Sequence, residues 1–321
     1  MNIIQLDSRQ RTLLSPAAFE GTGLHTGEAS TMIVRPAAEN AGRRFVRADL
    51  AGAPEIPALA QNAVEVERGV TLAALGAGGA EARVCTVEHI LSALEGVGID
   101  NCVIELSASE PPALDGGARQ FVQKLQRAGV TEQKAYRRCL VFSETIRVED
   151  FHRCAVISAE PDEGFCIEAR LEYDGLVELS QEAHLSDMRR YADEIAPART
   201  FCLLSEVLAL RSAGLIRGGT LQNAVVWRDR PPKSEEETRA LSETLGVAPE
   251  SLQLEPNGVV GGGALRFPNE AARHKILDII GDVSLAGIPL RARICAARPG
   301  HRINVELARK IQRLYERVSA R

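Results

Sequence analysis

From Arg273 to Asp282 the chain reads Arg-His-Lys-Ile-Leu-Asp-Ile-Ile-Gly-Asp, a spacing that leaves little besides a helix. His274, Asp278 and Asp282 recur every fourth residue and so stack along one helical face. Lys275 falls at the edge of the same arc. Ile276, Leu277, Ile279, Ile280, Val283 and Leu285 cover most of the remaining circumference. A histidine and an aspartate one turn apart can reach a single metal ion. The same spacing also describes an amphipathic helix turning a polar stripe to water.

At 321 residues the chain is long enough for two domains, each with its own core. A formal net charge of −5 argues against broad nucleic-acid or anionic-membrane binding, which needs a basic face. A local basic pocket for a phosphate-bearing small molecule remains compatible with it. The seven cysteines (Cys85, Cys102, Cys139, Cys154, Cys166, Cys202 and Cys295) form no Cys-x-x-Cys pair. That removes thiolate zinc knuckles and thioredoxin-like chemistry. No apolar leader and no long apolar run is seen, so the expectation is a reduced cytoplasmic protein with no membrane span.

Two halves are expected, residues 1–130 and 136–321, joined by a polar linker near 128–135. In the first, 31–35 and 101–106 read as strands. Thr86 is placed to cap a helix over 87–95 that Gly96 and Gly98 end. In the second, strand-like runs start at Cys139, Thr145, Cys154 and Cys166, and Asn269 is placed to cap the helix bearing His274. Strands grouped ahead of helices predict an α+β class, two related domains each pairing a sheet with helices. Two stretches read as inserts. One is a strand-helix-strand unit over about 200–226, with Ser205 as helix cap. The other, Arg228 to Asn257, carries Ser234 and Glu237 at capping-box spacing ahead of a helix ending near Gly246, and reads as a solvated surface excursion.

Zinc hydrolysis needs three protein ligands, an open position for water and a carboxylate to take that water's proton. With only six histidines, the search for a third ligand beside His274 and Asp278 is short. His89 is the best candidate, because Glu88 precedes it and would supply a base from the same helix start. The plainer alternative is that Glu88 improves the helix start and His89 lies on its surface. His301 follows Arg-Pro-Gly and is expected on a short loop, where Asp282 could hold it protonated beside a developing oxyanion. Thr200 offers a hydroxyl, Phe201 an apolar plate and Lys275 a positive charge. His25 lies in a glycine-flanked turn.

Taken in order, Thr86-Val-Glu-His89, Asp100-Asn101, Glu110-x-Pro-x-Leu-Asp115-Gly116, Arg199-Thr200-Phe201, Gly218-Gly219, Arg273-His-Lys-x-x-Asp278-x-x-Gly-Asp282 and Gly300-His301 resemble the UDP-3-O-acyl-N-acetylglucosamine deacetylase family, zinc amidases of lipid A synthesis. The resemblance runs from about Arg11 to Arg309. It implies two related α+β domains, each with an insert shaping the site. It also implies one Zn(II) per chain, with Fe(II) as an alternative, held by His89, His274 and Asp278. Glu88 would be the base, His301 oriented by Asp282 the cation, Thr200 an oxyanion donor and Lys275 a catalytic and substrate contact. Phe201, His25 and Gly218 would touch substrate, and Leu203, Val207, Leu215 and Ile216 would line a passage for the acyl chain. The implied partner is a UDP-linked acylated amino sugar, bound by a monomer without nucleic acid. Another N-acyl sugar, or a binding paralogue without catalysis, are the rival readings.

Overall fold

The computed structural model describes residues 1–76, 79–173, 175–252 and 258–319. Among them are seven α-helices: α1 (Glu88–Val97), α2 (Arg119–Ala128), α3 (Tyr191–Glu194), α4 (Val207–Ser212), α5 (Glu235–Leu245), α6 (Glu270–Ser284) and α7 (His301–Ser319). A five-stranded sheet runs in the order Ala17–Thr22, Ala29–Pro36, Cys102–Leu106, Arg43–Arg47, Glu55–Pro57. A seven-stranded sheet is centred on Leu290–Ala297, which pairs antiparallel with Ala155–Pro161 and parallel with Phe165–Tyr173. The class is the α+β mixture expected from strands grouped ahead of helices.

Helices α1 and α6 pack against each other between the two sheets. Their sequences require it: every residue from Glu88 to Leu94 is buried, and so is most of α6. A helix buried on nearly all sides must sit inside a layered core. Ile90, Leu91, Ile276 and Ile279 join Phe19, Met32 and Phe45 of one sheet to Ile157, Ile167 and Ile294 of the other in one continuous cluster.

The crossing of α1 and α6 is set by Gly281. A Cβ added there would lie 2.1 Å from the Glu88 carbonyl oxygen and 2.9 Å from the Glu88 Cα. Only a bare backbone lets the first turn of α1 rest on α6 between Asp278 and Asp282. Gly281→Ala is therefore expected to destabilise the fold by about 1–3 kcal/mol through overpacking. It should also lower turnover about a hundred-fold by displacing Glu88. Thermal denaturation and turnover check both, and an unchanged melting temperature would refute the close approach.

Several local expectations give way to specific partners. The stretch read as a polar linker is the start of the strand Val130–Val141, which pairs antiparallel with Asn2–Leu13 from Leu13–Val130 to Asn2–Val141. Its polarity is that of a half-exposed strand pair at one end of the sheet. Thr86 does not cap α1, since its hydroxyl donates to Glu110 Oε1 (2.7 Å) and Val87 takes the cap position. Asn269 stands before α6 without a capping bond, because its amide donates to the Glu182 carbonyl and accepts from Arg273. Ser205 lies inside a 3-10 turn, Leu204–Glu206, ahead of α4.

The unit over 200–226 is strand-helix-strand as expected, with Thr200–Leu203 parallel to Ala224–Trp227. The Arg228–Asn257 stretch is more than a solvated excursion, although its residues 253–257 lie outside the described ones. Ser234 Oγ accepts from the Glu237 amide, and Gly246 (φ 66°) ends α5. The Glu237 carboxylate engages Arg230 rather than completing the capping box. Leu241 and Leu252 are buried with Leu204, Val207, Val226 and Val260 in a second small core.

Candidate active site

Helix α6 presents His274 and Asp278 toward the first turn of α1. Candidate ligand atoms of His89, His274 and Asp278 all lie within 4.8 Å of one another. Asp278 Oδ1 is 3.3 Å from His274 Nε2 and 3.9 Å from His89 Nε2. The two imidazoles meet edge to face, with centroids 5.0 Å apart. His274 is oriented from behind by the Ala198 carbonyl, 3.1 Å from its Nδ1, leaving Nε2 free to ligate. The other carboxylate oxygen, Asp278 Oδ2, accepts from Lys275 Nζ at 2.8 Å.

This donor set fits a divalent metal. Asp278 Oδ1 is buried and accepts no hydrogen bond, a costly arrangement for a carboxylate unless a cation completes it. Burial, then the neighbouring His274, lowers the His89 pKa to about 3, so its imidazole is neutral and has a free lone pair. Burial likewise lowers His274. For Asp278 burial opposes ionisation, but His274 and Lys275 outweigh it and hold the carboxyl below its usual range. Two neutral imidazoles and one carboxylate suit Zn(II) or Fe(II).

A second cluster stands beside the first. Glu88, Asp282 and His301 also bring candidate ligand atoms within 4.8 Å of one another. His301 is the first residue of α7 rather than part of a loop. Its Nδ1 lies 2.9 Å from Asp282 Oδ2, and Asn304, one turn on, donates to the same oxygen at 2.9 Å. Burial alone would discharge the ring, but Asp282, Glu88 and Asp278 outweigh it and raise His301 to about 10. His301 is therefore an imidazolium at neutral pH. Its Nε2 is 3.9 Å from Glu88 Oε1. The other Glu88 oxygen accepts from the Val70 amide at 3.0 Å. Burial, tempered by His301 and reinforced by Asp282, raises Glu88 to about 7.

Around these clusters, Lys275 Nζ lies 5.3 Å from the centroid of the Phe201 ring, which meets Tyr173 edge to face. A largely apolar passage is lined by His25, Thr200, Phe201, Val207 and Ile216 among others. Three further residues expected to touch substrate do not line this passage. Leu203 and Leu215 are absent from that wall, and Gly218 serves the backbone, donating to the Leu24 carbonyl where a Cβ would meet Gly23 O at 2.1 Å.

Glu110, quoted in the sequence motif without a role, is a fully buried hub. It accepts from the His25 and Thr26 amides and from the Thr26 and Thr86 hydroxyls. Arg199 and Glu270 form a buried ion pair at the start of α6. The Val70 amide and Ala198 carbonyl are backbone groups that no residue pattern announces. Tyr173 could have been found only from its strand face.

The family model described as "LpxC: UDP-3-O-acyl N-acetylglycosamine deacetylase" matches residues 10–246 and 244–313. A bifunctional enzyme LpxC/FabZ of Chlorobaculum tepidum is 41% identical over 96% of this chain and 65% of its own length. The bifunctional relative of Bacteroides thetaiotaomicron is 40% identical, with 64% of its length matched. The chain thus spans somewhat less than two thirds of these relatives. The UDP-3-O-acyl-N-acetylglucosamine deacetylase of Myxococcus xanthus is 40% identical over 97% of this chain and 90% of its own length. That of Chlamydia caviae is 34% identical over 95% and 98%. With the model match running through both clusters and relatives aligned almost end to end, the chain belongs to the UDP-3-O-acyl N-acetylglycosamine deacetylase family.

Proposed function

We propose that the chain hydrolyses the acetamide of a UDP-linked 3-O-acyl-N-acetylglucosamine, releasing acetate and the free amine, with zinc held by His89, His274 and Asp278. One observation carries the reading: an unpartnered, buried Asp278 oxygen faces two imidazoles, with a near-neutral carboxyl and an imidazolium next to them. A metal ion bound there would supply Lewis acidity, polarising the attacked carbonyl and acidifying water.

Glu88, with a pKa close to working pH, accepts a proton from the attacking water. The Val70 amide fixes its other oxygen, so the accepting one faces the site. His301, kept cationic by Asp282, stabilises the charge developing on the carbonyl oxygen and protonates the departing nitrogen as the C–N bond breaks. Thr200 donates its hydroxyl to the same oxygen. Lys275 occupies Asp278 Oδ2, so Oδ1 is the carboxylate oxygen that would be offered to a metal. A surface cleft lined by Lys275, Arg153, Arg298 and Arg302, against Asp150 and Glu172, carries more cations than carboxylates and so suits a diphosphate. The apolar passage beside Phe201 suits the acyl chain.

No helix among the described residues is long and apolar enough to cross a membrane. Cysteines scattered singly, several in apolar strands, favour a reducing cytoplasm.

Acetate release measured on acylated and non-acylated UDP-N-acetylglucosamine tests the reading, before and after chelation and with Zn(II) or Fe(II) restored. The expected result is faster turnover of the acylated sugar, lost on chelation and regained with metal. Equal rates on both sugars would point to another N-acyl sugar as substrate. Activity that survives complete metal removal would overturn the mechanism.

A further inference from the structure

We propose that α5 forms the far wall of the acyl passage and so sets the longest acyl chain the enzyme admits; the inference rests on the acylated sugar being the substrate. One end of the passage opens on the reaction centre. His25 Nε2 lies 3.1 Å from the Arg68 carbonyl. The next residues in the chain, Gly69 and Val70, sit against the Glu88 carboxylate. Thr200 and Phe201 line the same end. From there the wall passes to Val207 and Leu210 of α4, to Ile216, and to Ala224 and Val226 of the parallel strand.

Thr244 and Leu245 complete the lining, and they come from the last turn of α5. This helix packs on α4 and on the 3-10 turn Pro249–Leu252. It therefore stands against the insert, beside α4. Leu245 is half-buried against the small core that Leu241, Val207 and Val226 build.

The wall is anchored rather than draped. Ser234 caps its start, Arg230 pairs with Glu237 in the first turn, and Gly246 in the left-handed region ends it. Ser242 Oγ donates to the Val247 carbonyl just beyond, and Arg228 reaches the Leu252 carbonyl at 2.8 Å. An acyl chain grows along such a passage only until its terminal methyl meets Leu245. Each methylene buried before that point adds affinity, and each one beyond must displace the helix.

Leu245→Ala and Leu245→Trp, assayed beside the unaltered protein on UDP-sugars whose acyl chains lengthen two carbons at a time, test the proposal. With Leu245→Ala, kcat/KM for the first chain longer than the native optimum should rise about ten-fold relative to the optimum, the worth of two newly buried methylenes. With Leu245→Trp the optimum should move to a shorter chain. Identical length profiles in all three proteins would overturn the proposal. Calorimetric titration of the same proteins with free fatty acids of graded length reads the wall without any turnover. An unchanged length dependence there overturns the role of α5 even if acetate release is normal. A shifted dependence beside equal turnover of acylated and non-acylated sugar upholds the wall and indicts the substrate instead.

Discussion

Glu88→Gln will keep its metal and its fold while kcat falls by about two to four orders of magnitude, the usual worth of a positioned general base. Glutamine matches glutamate in shape, and its carbonyl oxygen can still accept from the Val70 amide, as Glu88 Oε2 does at 3.0 Å. Burial already holds the Glu88 carboxyl close to neutrality, so a neutral side chain brings little new desolvation. What disappears is the capacity to take a proton from water. The decisive comparison sets turnover of the acylated UDP-sugar against metal content by elemental analysis on the same preparation. Near-native kcat would strip Glu88 of its role. Loss of metal together with activity would make it a ligand instead of a base.

His274→Ala should produce the opposite pairing: metal binding weakened by several orders of magnitude, with activity lost as a result. The substitution removes one of two neutral imidazoles from the set and leaves the Ala198 carbonyl without its ring partner. It also leaves Asp278 Oδ1 facing His89 alone, too few donors for a structural or catalytic zinc site. Dialysed protein should contain well under one metal per chain, and added Zn(II) should restore little turnover. Stoichiometric metal after dialysis would show that the ion sits elsewhere, and the assignment of both clusters would fall with it.

The polar face of α6 was legible in sequence because helical spacing alone stacks His274, Asp278 and Asp282 on one side. The fold class was legible because strands precede helices in blocks. Other features depend on partners distant in sequence. Thr86 has every local mark of a helix cap, yet Glu110 claims its hydroxyl. Asn269 is likewise diverted by Glu182 and Arg273. His301 opens α7 despite the Arg-Pro-Gly ahead of it, since Gly300 supplies the carbonyl that receives the Asn304 amide. The helix after Arg228 was legible from its cap and its closing glycine, but its apolar residues Leu241 and Leu245 matter only once the neighbouring insert is in place. Backbone groups such as the Val70 amide carry no side-chain signature at all.

The pairing of Asn2–Leu13 with Val130–Val141 bears on how the chain assembles during synthesis. The strand Asn2–Leu13 cannot dock until a segment made much later has emerged. Until then that strand lacks this partner, and closing so long a loop slows folding. Helix α1, with Glu88 and His89, is likewise made well before α6, the helix it packs on. Until its later partners are made, this part of the chain therefore carries an unmated strand and an uncovered helix, the kind of surface that invites aggregation.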